Sequence, residues 1–95
     1  MPTLVWTRPA FDDLDAIDRW LTANVRGEIA IDMLSAIKLR AYFLENFPHG
    51  GRPIGEGLRV LRVIGTPYLI IYRIEGEAVQ LLRIRHERED WFVEP

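Results

Sequence analysis

The apolar and polar positions along the chain alternate in two different periods, and the change from one to the other divides it. Thr3-Leu4-Val5-Trp6 is short, β-branched and aromatic, the pattern of an opening strand. A helical period follows. Ala10, Leu14, Ile17 and Leu21 recur at the spacing of one helix face, flanked by Phe11 and Trp20. Thr7 is placed to cap this helix, Pro9 is tolerated in its first turn, and Asp12, Asp13 and Asp15 are expected to favour the positive end of its dipole. The stretch from Asn24 to Gly27 interrupts the period. It resumes with Ala30, Met33, Leu34, Ile37, Ala41 and Leu44 along one side of a second helix. So short a link predicts an antiparallel helical hairpin.

Pro48 to Gly57 ends the helical pattern with four glycines and two prolines in ten residues, and reads as a connector. Three runs with strand character come next: Leu58–Ile64, Tyr68–Ile74 and Val79–Arg85, separated by Gly65-Thr66-Pro67 and Glu75-Gly76-Glu77. In the middle run Tyr68, Ile70, Tyr72 and Ile74 share one face, and Leu69, Ile71 and Arg73 the other. Both faces are largely apolar. One is expected to cover the hairpin, and the other to be covered by something the chain does not supply. The predicted architecture is α+β: an N-terminal strand, an α-helical hairpin and a three-stranded antiparallel meander, in the order β-α-α-β-β-β.

Composition narrows the setting. Ninety-five residues, 48% hydrophobic and 27% charged, suit a single domain spanning residues 1–95. The absence of cysteine excludes disulfides and thiolate metal sites and favours a reducing compartment. With no membrane-length apolar run and no signal-like N-terminus, the expected location is the cytoplasm, away from any membrane. The net charge of −2 conceals a division: residues 52–88 carry seven arginines against four glutamates, while the chain's one lysine is Lys38 on the second helix. Arginine offers a planar fork of donors suited to carboxylates and phosphates. Overall acidity argues against indiscriminate nucleic-acid binding, and no direct sequence-specific binding of nucleic acid is expected. Neither metal nor small-molecule cofactor is expected, because the two histidines lie 37 residues apart and no phosphate-cradling glycine motif with its lysine is present.

Several short pieces, in order, carry a resemblance. They are Val5-Trp6-Thr7 leading to Ala10, Asp13-Leu14 and Ile17; Pro48 with Gly51-Arg52-Pro53; Leu58-Arg59-Val60-Leu61; Pro67 through Arg73; and Leu82-Arg83-Ile84-Arg85-His86 followed by Asp90-Trp91. Over nearly the whole chain this resembles the RelE/ParE superfamily of bacterial toxins, and within it the ParE branch. The resemblance implies a small cytoplasmic toxin of a type II toxin–antitoxin (plasmid stabilisation-like) system, with a ParD-like antitoxin whose C-terminal segment wraps it. ParE-type members are associated with poisoning DNA gyrase, and RelE-type members with cutting messenger RNA on the ribosome.

Cleavage by 2′-hydroxyl attack needs a base, an acid and cations on the phosphate. His86 is the candidate proton-transfer group, with Arg59 and Arg83, and Arg62 beside them, as phosphate ligands. The lysine/arginine cluster with a late tyrosine, or the glutamate–histidine–tyrosine set, that the resemblance implies for nucleases is incomplete. No tyrosine follows Tyr72, and Glu87 should point to the opposite strand face from His86. The preferred reading is therefore a binding toxin. Its expected partner-contact residues are Arg59, Arg62, Arg73, Arg83, His86 and Trp91, with Trp20, Phe43 and Phe47 for an antitoxin groove. The alternatives are a ribosome-dependent mRNA endoribonuclease and an inactive relative that only binds its antitoxin.

Overall fold

The computed structural model describes residues 3–88. The elements are β1 (Thr3–Trp6), α1 (Arg8–Asn24), α2 (Gly27–Asn46), β2 (Arg52–Gly55), β3 (Leu58–Arg62), β4 (Tyr68–Glu75) and β5 (Ala78–His86). They build an α+β fold with one sheet in the order β1-β5-β4-β3-β2. The expected meander is present as β3-β4-β5, each neighbouring pair antiparallel. β1 joins it in parallel, with Thr3 opposite Ala78 and Trp6 opposite Leu81.

The connector contributes a further strand. β2 pairs antiparallel with β3, Arg52 opposite Val60 and Gly55 opposite Leu58. Glu56 and Gly57 turn the chain with φ of 56° and 77°, the left-handed pair that tight hairpins require. Pro53 is tolerated because β2 lies at the sheet edge. Glycine and proline hid this strand from a reading based on β-propensity.

Thr7 starts α1 and ties it to the sheet. Its Oγ1 accepts from the Ala10 N–H at 3.4 Å and donates to the Leu81 carbonyl at 2.6 Å. The aspartates do not serve the helix dipole as expected: Arg8 opens the helix, the first turn holds no acid, and Asp12 instead pairs with Arg8 at 3.1 Å. Ala10, Ile37, Ala41 and Leu44 pack with Leu61, Tyr72, Val79, Leu81 and Ile84 in the main core. Leu14, Ile17 and Met33 lie against it half-buried.

A β-bulge decides which residues of β5 face this core. Ile71 pairs with Arg83 but Tyr72 pairs with Leu81, so Leu82 is the extra residue. Without that insertion, strict alternation from Leu81 would send Arg83 inward in place of Ile84. The second sheet face corrects the expectation that it waits for an outside cover. Val60, Leu69 and Ile71 are already buried there, with Ile54 of β2 packed against them.

Candidate functional site

The two arginines expected to grip a phosphate beside His86 have intramolecular partners, and these lie on different strands. Arg59, on β3, donates from Nη1 to the Gly51 carbonyl at 2.7 Å. The Gly51 N–H donates to the Tyr72 hydroxyl at 2.8 Å, and that hydroxyl donates to the Pro48 carbonyl at 2.8 Å. This chain of bonds clamps the α2–β2 connection onto β4. Burial pushes the Tyr72 phenol above its ordinary value of 10.0, and the Gly51 N–H and the Arg59 charge pull it partway back.

Arg83, on β5, is held by Asp13 of α1 through two bonds, Nε to Oδ2 at 2.7 Å and Nη2 to Oδ1 at 2.9 Å. Asp13 Oδ2 also accepts the Ile84 N–H at 3.0 Å. β1 pairs with β5 only as far as Leu81, so β5 beyond that point would expose an unpaired edge. α1 covers it there, and Asp13 supplies the acceptor a neighbouring strand would have given. Arg59 and Arg83 are separated by β4 and so stand about 10 Å apart along the sheet.

His86 pairs across the sheet with Tyr68, their rings edge to face at 5.6 Å. Its Nδ1 accepts the Arg88 N–H at 3.0 Å, which in neutral imidazole leaves the proton on Nε2. Glu87 turns to Arg62, accepting from its Nη2 at 3.0 Å. The other histidine, His49, is exposed in the α2–β2 connection.

The remaining expected contact residues among the described ones fall in four places. Arg62 and Arg52 line a depression of about 360 Å3 on the second sheet face, with Gly50, Val60, Leu69 and Glu87. Arg73 donates to Gln80 at 2.7 Å near the β4–β5 turn. Phe43 and Phe47 stack at 4.9 Å at the end of α2, with the Arg40 guanidinium 4.7 Å over Phe43. Phe43 packs against the core, whereas Phe47 is exposed. Trp20 is also exposed, on the wall of an apolar cavity of about 510 Å3 that Tyr68 and His86 border. Trp91 lies outside the described residues.

Sequence reasoning missed three participants. The dipole reading of Asp13 gives no hint of its pairing with Arg83, strand alternation places Tyr72 on a sheet face without its hydroxyl bonds, and it does not link Tyr68 to His86. Only the antiparallel register, which sets Tyr68 opposite His86, carried a signal for the last. Among the described residues no group of three or more histidines and carboxylates could hold a metal ion, and no helix is long and apolar enough to cross a membrane.

The fold recurs in toxin–antitoxin structures. A chain of the chromosomal ParDE system from P. aeruginosa superposes with a TM-score of 0.83 at 31% identity, covering 90% of this chain and 96% of that one. A chain of the RelBE2 toxin–antitoxin complex from Mycobacterium tuberculosis follows with a TM-score of 0.65 at 28% identity, covering 90% and 99%. The class is that of the small RelE/ParE-type toxins. Toxin ParE3 of Caulobacter vibrioides is 34% identical over 87 residues, 88% of this chain and 85% of that protein. The family described as "ParE toxin of type II toxin-antitoxin system, parDE" matches residues 4–91. The chain belongs to this ParE toxin family.

Proposed function

We propose that this toxin acts in the cytoplasm by binding DNA gyrase, without cleaving RNA, and that a ParD-like antitoxin neutralises it. One observation carries the choice between binding and cleavage. Arg59 and Arg83 are engaged by the Gly51 carbonyl and by Asp13, so neither is presented beside His86 as a phosphate ligand. Phosphoryl transfer depends on such positioned charge. The antitoxin reading draws on the relatives, which come from ParDE and RelBE systems, and on the large apolar side chains left exposed on both helices.

The endoribonuclease reading keeps one supporting contact, the Tyr68 ring at the edge of His86. A pair of assays separates the two. Purified toxin added to a gyrase supercoiling reaction is expected to inhibit it or to trap cleaved DNA; no effect at saturating toxin refutes the gyrase target. In a translating ribosome system the messenger RNA is expected to stay intact, and site-selective cuts would establish the nuclease.

A further inference from the structure

The arginines of the sheet are sorted by face. Arg62 of β3 and Arg85 of β5 lie in one cross-strand row, on either side of Leu69 of β4. Paired residues point to the same side of a sheet, so both share the second face with Leu69, away from the helices. Two strand spacings set them about 10 Å apart. Arg52 of β2 lies opposite Val60, two residues along β3 from Arg62, which is roughly 7 Å further down the sheet. Arg52 and Arg62 rim the depression of about 360 Å3, and Val60 and Leu69 form its buried floor. Glu87 is the one carboxylate that lines it among the described residues. Arg52 is exposed and has no hydrogen-bond or ion-pair partner among the described residues, and the Arg62 guanidinium is 72% exposed.

Three features of this face select a ligand. Three guanidinium groups against one carboxylate call for an anion, and their separation suits charges repeated along a chain better than one small ion. The floor holds no aromatic side chain, being built from Ile54, Val60, Leu69 and Ile71. It therefore offers no platform for the unstacked bases of a single strand. A duplex backbone needs no such platform: each strand carries one negative charge per about 3.4 Å and asks only for positioned cations. Finally, His86 stands on the other side of the sheet, paired with Tyr68 of the main core, so a phosphate on this face is held away from the imidazole. Three arginines in a chain of net charge −2 attract little free DNA. We propose that the face formed by Arg52, Arg62 and Arg85 rests on the phosphate backbone of the duplex that gyrase holds, without reading its sequence. The toxin then prefers the gyrase–DNA complex to gyrase alone. The inference rests on the gyrase reading and adds the partner of this face.

The test follows labelled full-length toxin by fluorescence anisotropy as it binds gyrase alone and gyrase loaded on duplex DNA, between about 50 and 200 mM salt. Wild type is expected to bind loaded gyrase about tenfold or more tightly than gyrase alone at the lower salt. That preference should fade as salt rises, at about 0.9 in the logarithmic slope per phosphate contact. The double variant Arg52→Gln, Arg62→Gln is expected to lose most of the preference and about 2 units of that slope, while binding gyrase alone within about twofold of wild type. Arg8→Gln, exposed on α1, is expected to behave like wild type. Unchanged thermal midpoints separate these effects from misfolding. Equal wild-type binding with and without DNA overturns the DNA contact and leaves the gyrase reading intact. So does a double variant that keeps the full preference. An equal loss on both forms of gyrase also overturns it, because the face would then meet protein. A loss confined to the purified product of the upstream reading frame would overturn it too, giving the face to an acidic protein segment. Absence of wild-type binding to either form overturns the gyrase reading and this inference with it.

Discussion

Removing one oxygen atom, in Tyr72→Phe, should test how the α2–β2 connection is held. The Tyr72 side chain is fully buried, and its hydroxyl both accepts the Gly51 N–H and donates to the Pro48 carbonyl, each at 2.8 Å. Phenylalanine preserves the ring and its packing but leaves both backbone groups without that partner. An unsatisfied buried group costs about 1–3 kcal/mol. With partial relaxation of the loop, the two together should cost about 3 kcal/mol, a large share of the roughly 5–15 kcal/mol that stabilises a domain. At about 4–8 °C per kcal/mol for a chain of this size, the midpoint should fall by at least about 12 °C.

The pH dependence provides a second readout. Burial raises the phenol above 10.0 in the folded protein, so the native state holds this proton more tightly than the unfolded chain. The associated stability is complete below pH 10 and is lost as the pH climbs from there through the folded value. Phenylalanine has no such proton, so the gap between wild type and variant should narrow above pH 10. Urea melts of both proteins at pH 8 and pH 11, with unchanged slope, measure this. A destabilisation below about 0.5 kcal/mol at pH 8, typical of a neutral surface change, would refute the clamp.

Gly51→Ala should be at least as damaging, because an added Cβ would lie 2.7 Å from the Tyr72 ring and from the Val60 carbonyl oxygen; the same melts, or failure to accumulate folded protein, would register it. Asp13→Ala should cost about 2 kcal/mol and Arg83→Ala about 1 kcal/mol, since only the first also strips the acceptor from the Ile84 N–H. Both losses should persist at high salt, as the Asp13 side chain is only 17% exposed. Glu87→Gln should change stability by less than about 0.5 kcal/mol, because its partner Arg62 is 72% exposed.

The helical hairpin was legible because its apolar stripes are long and regular: Ala10 and Leu21, and Ala30, Ile37, Ala41 and Leu44, are buried as their spacing predicts. The β3–β5 meander was legible for the same reason, being bounded by turns at Gly65 and Gly76, both with positive φ. β2 was not, because a four-residue edge strand containing Pro53 and Gly55 is held by its register with β3, and its propensity opposes it. The site was less legible than the fold. Strand alternation correctly set Glu87 apart from His86, and Glu87 indeed turns to Arg62. Yet the partners of Arg59 and Arg83 lie 8 and 70 positions away, in a connector and a helix. No local pattern points to such pairings, so arginines that brace the scaffold look in sequence like arginines awaiting a ligand.

That ambiguity extends to mutagenesis. Loss of toxicity in Arg59→Ala or Arg83→Ala would follow from a loosened Gly51 connection or an uncovered β5 edge as readily as from a lost target contact. Arg62 gives a cleaner probe, since its exposed guanidinium meets only the surface carboxylate of Glu87 among its described side-chain partners. If the arginine-lined face meets the target, Arg62→Ala should weaken growth arrest while leaving the thermal midpoint within about 2 °C of wild type. Arg59→Ala should lower both together. Full toxicity in Arg62→Ala, measured as growth after induction without antitoxin, would remove this residue from the contact set and move the target surface toward the helices.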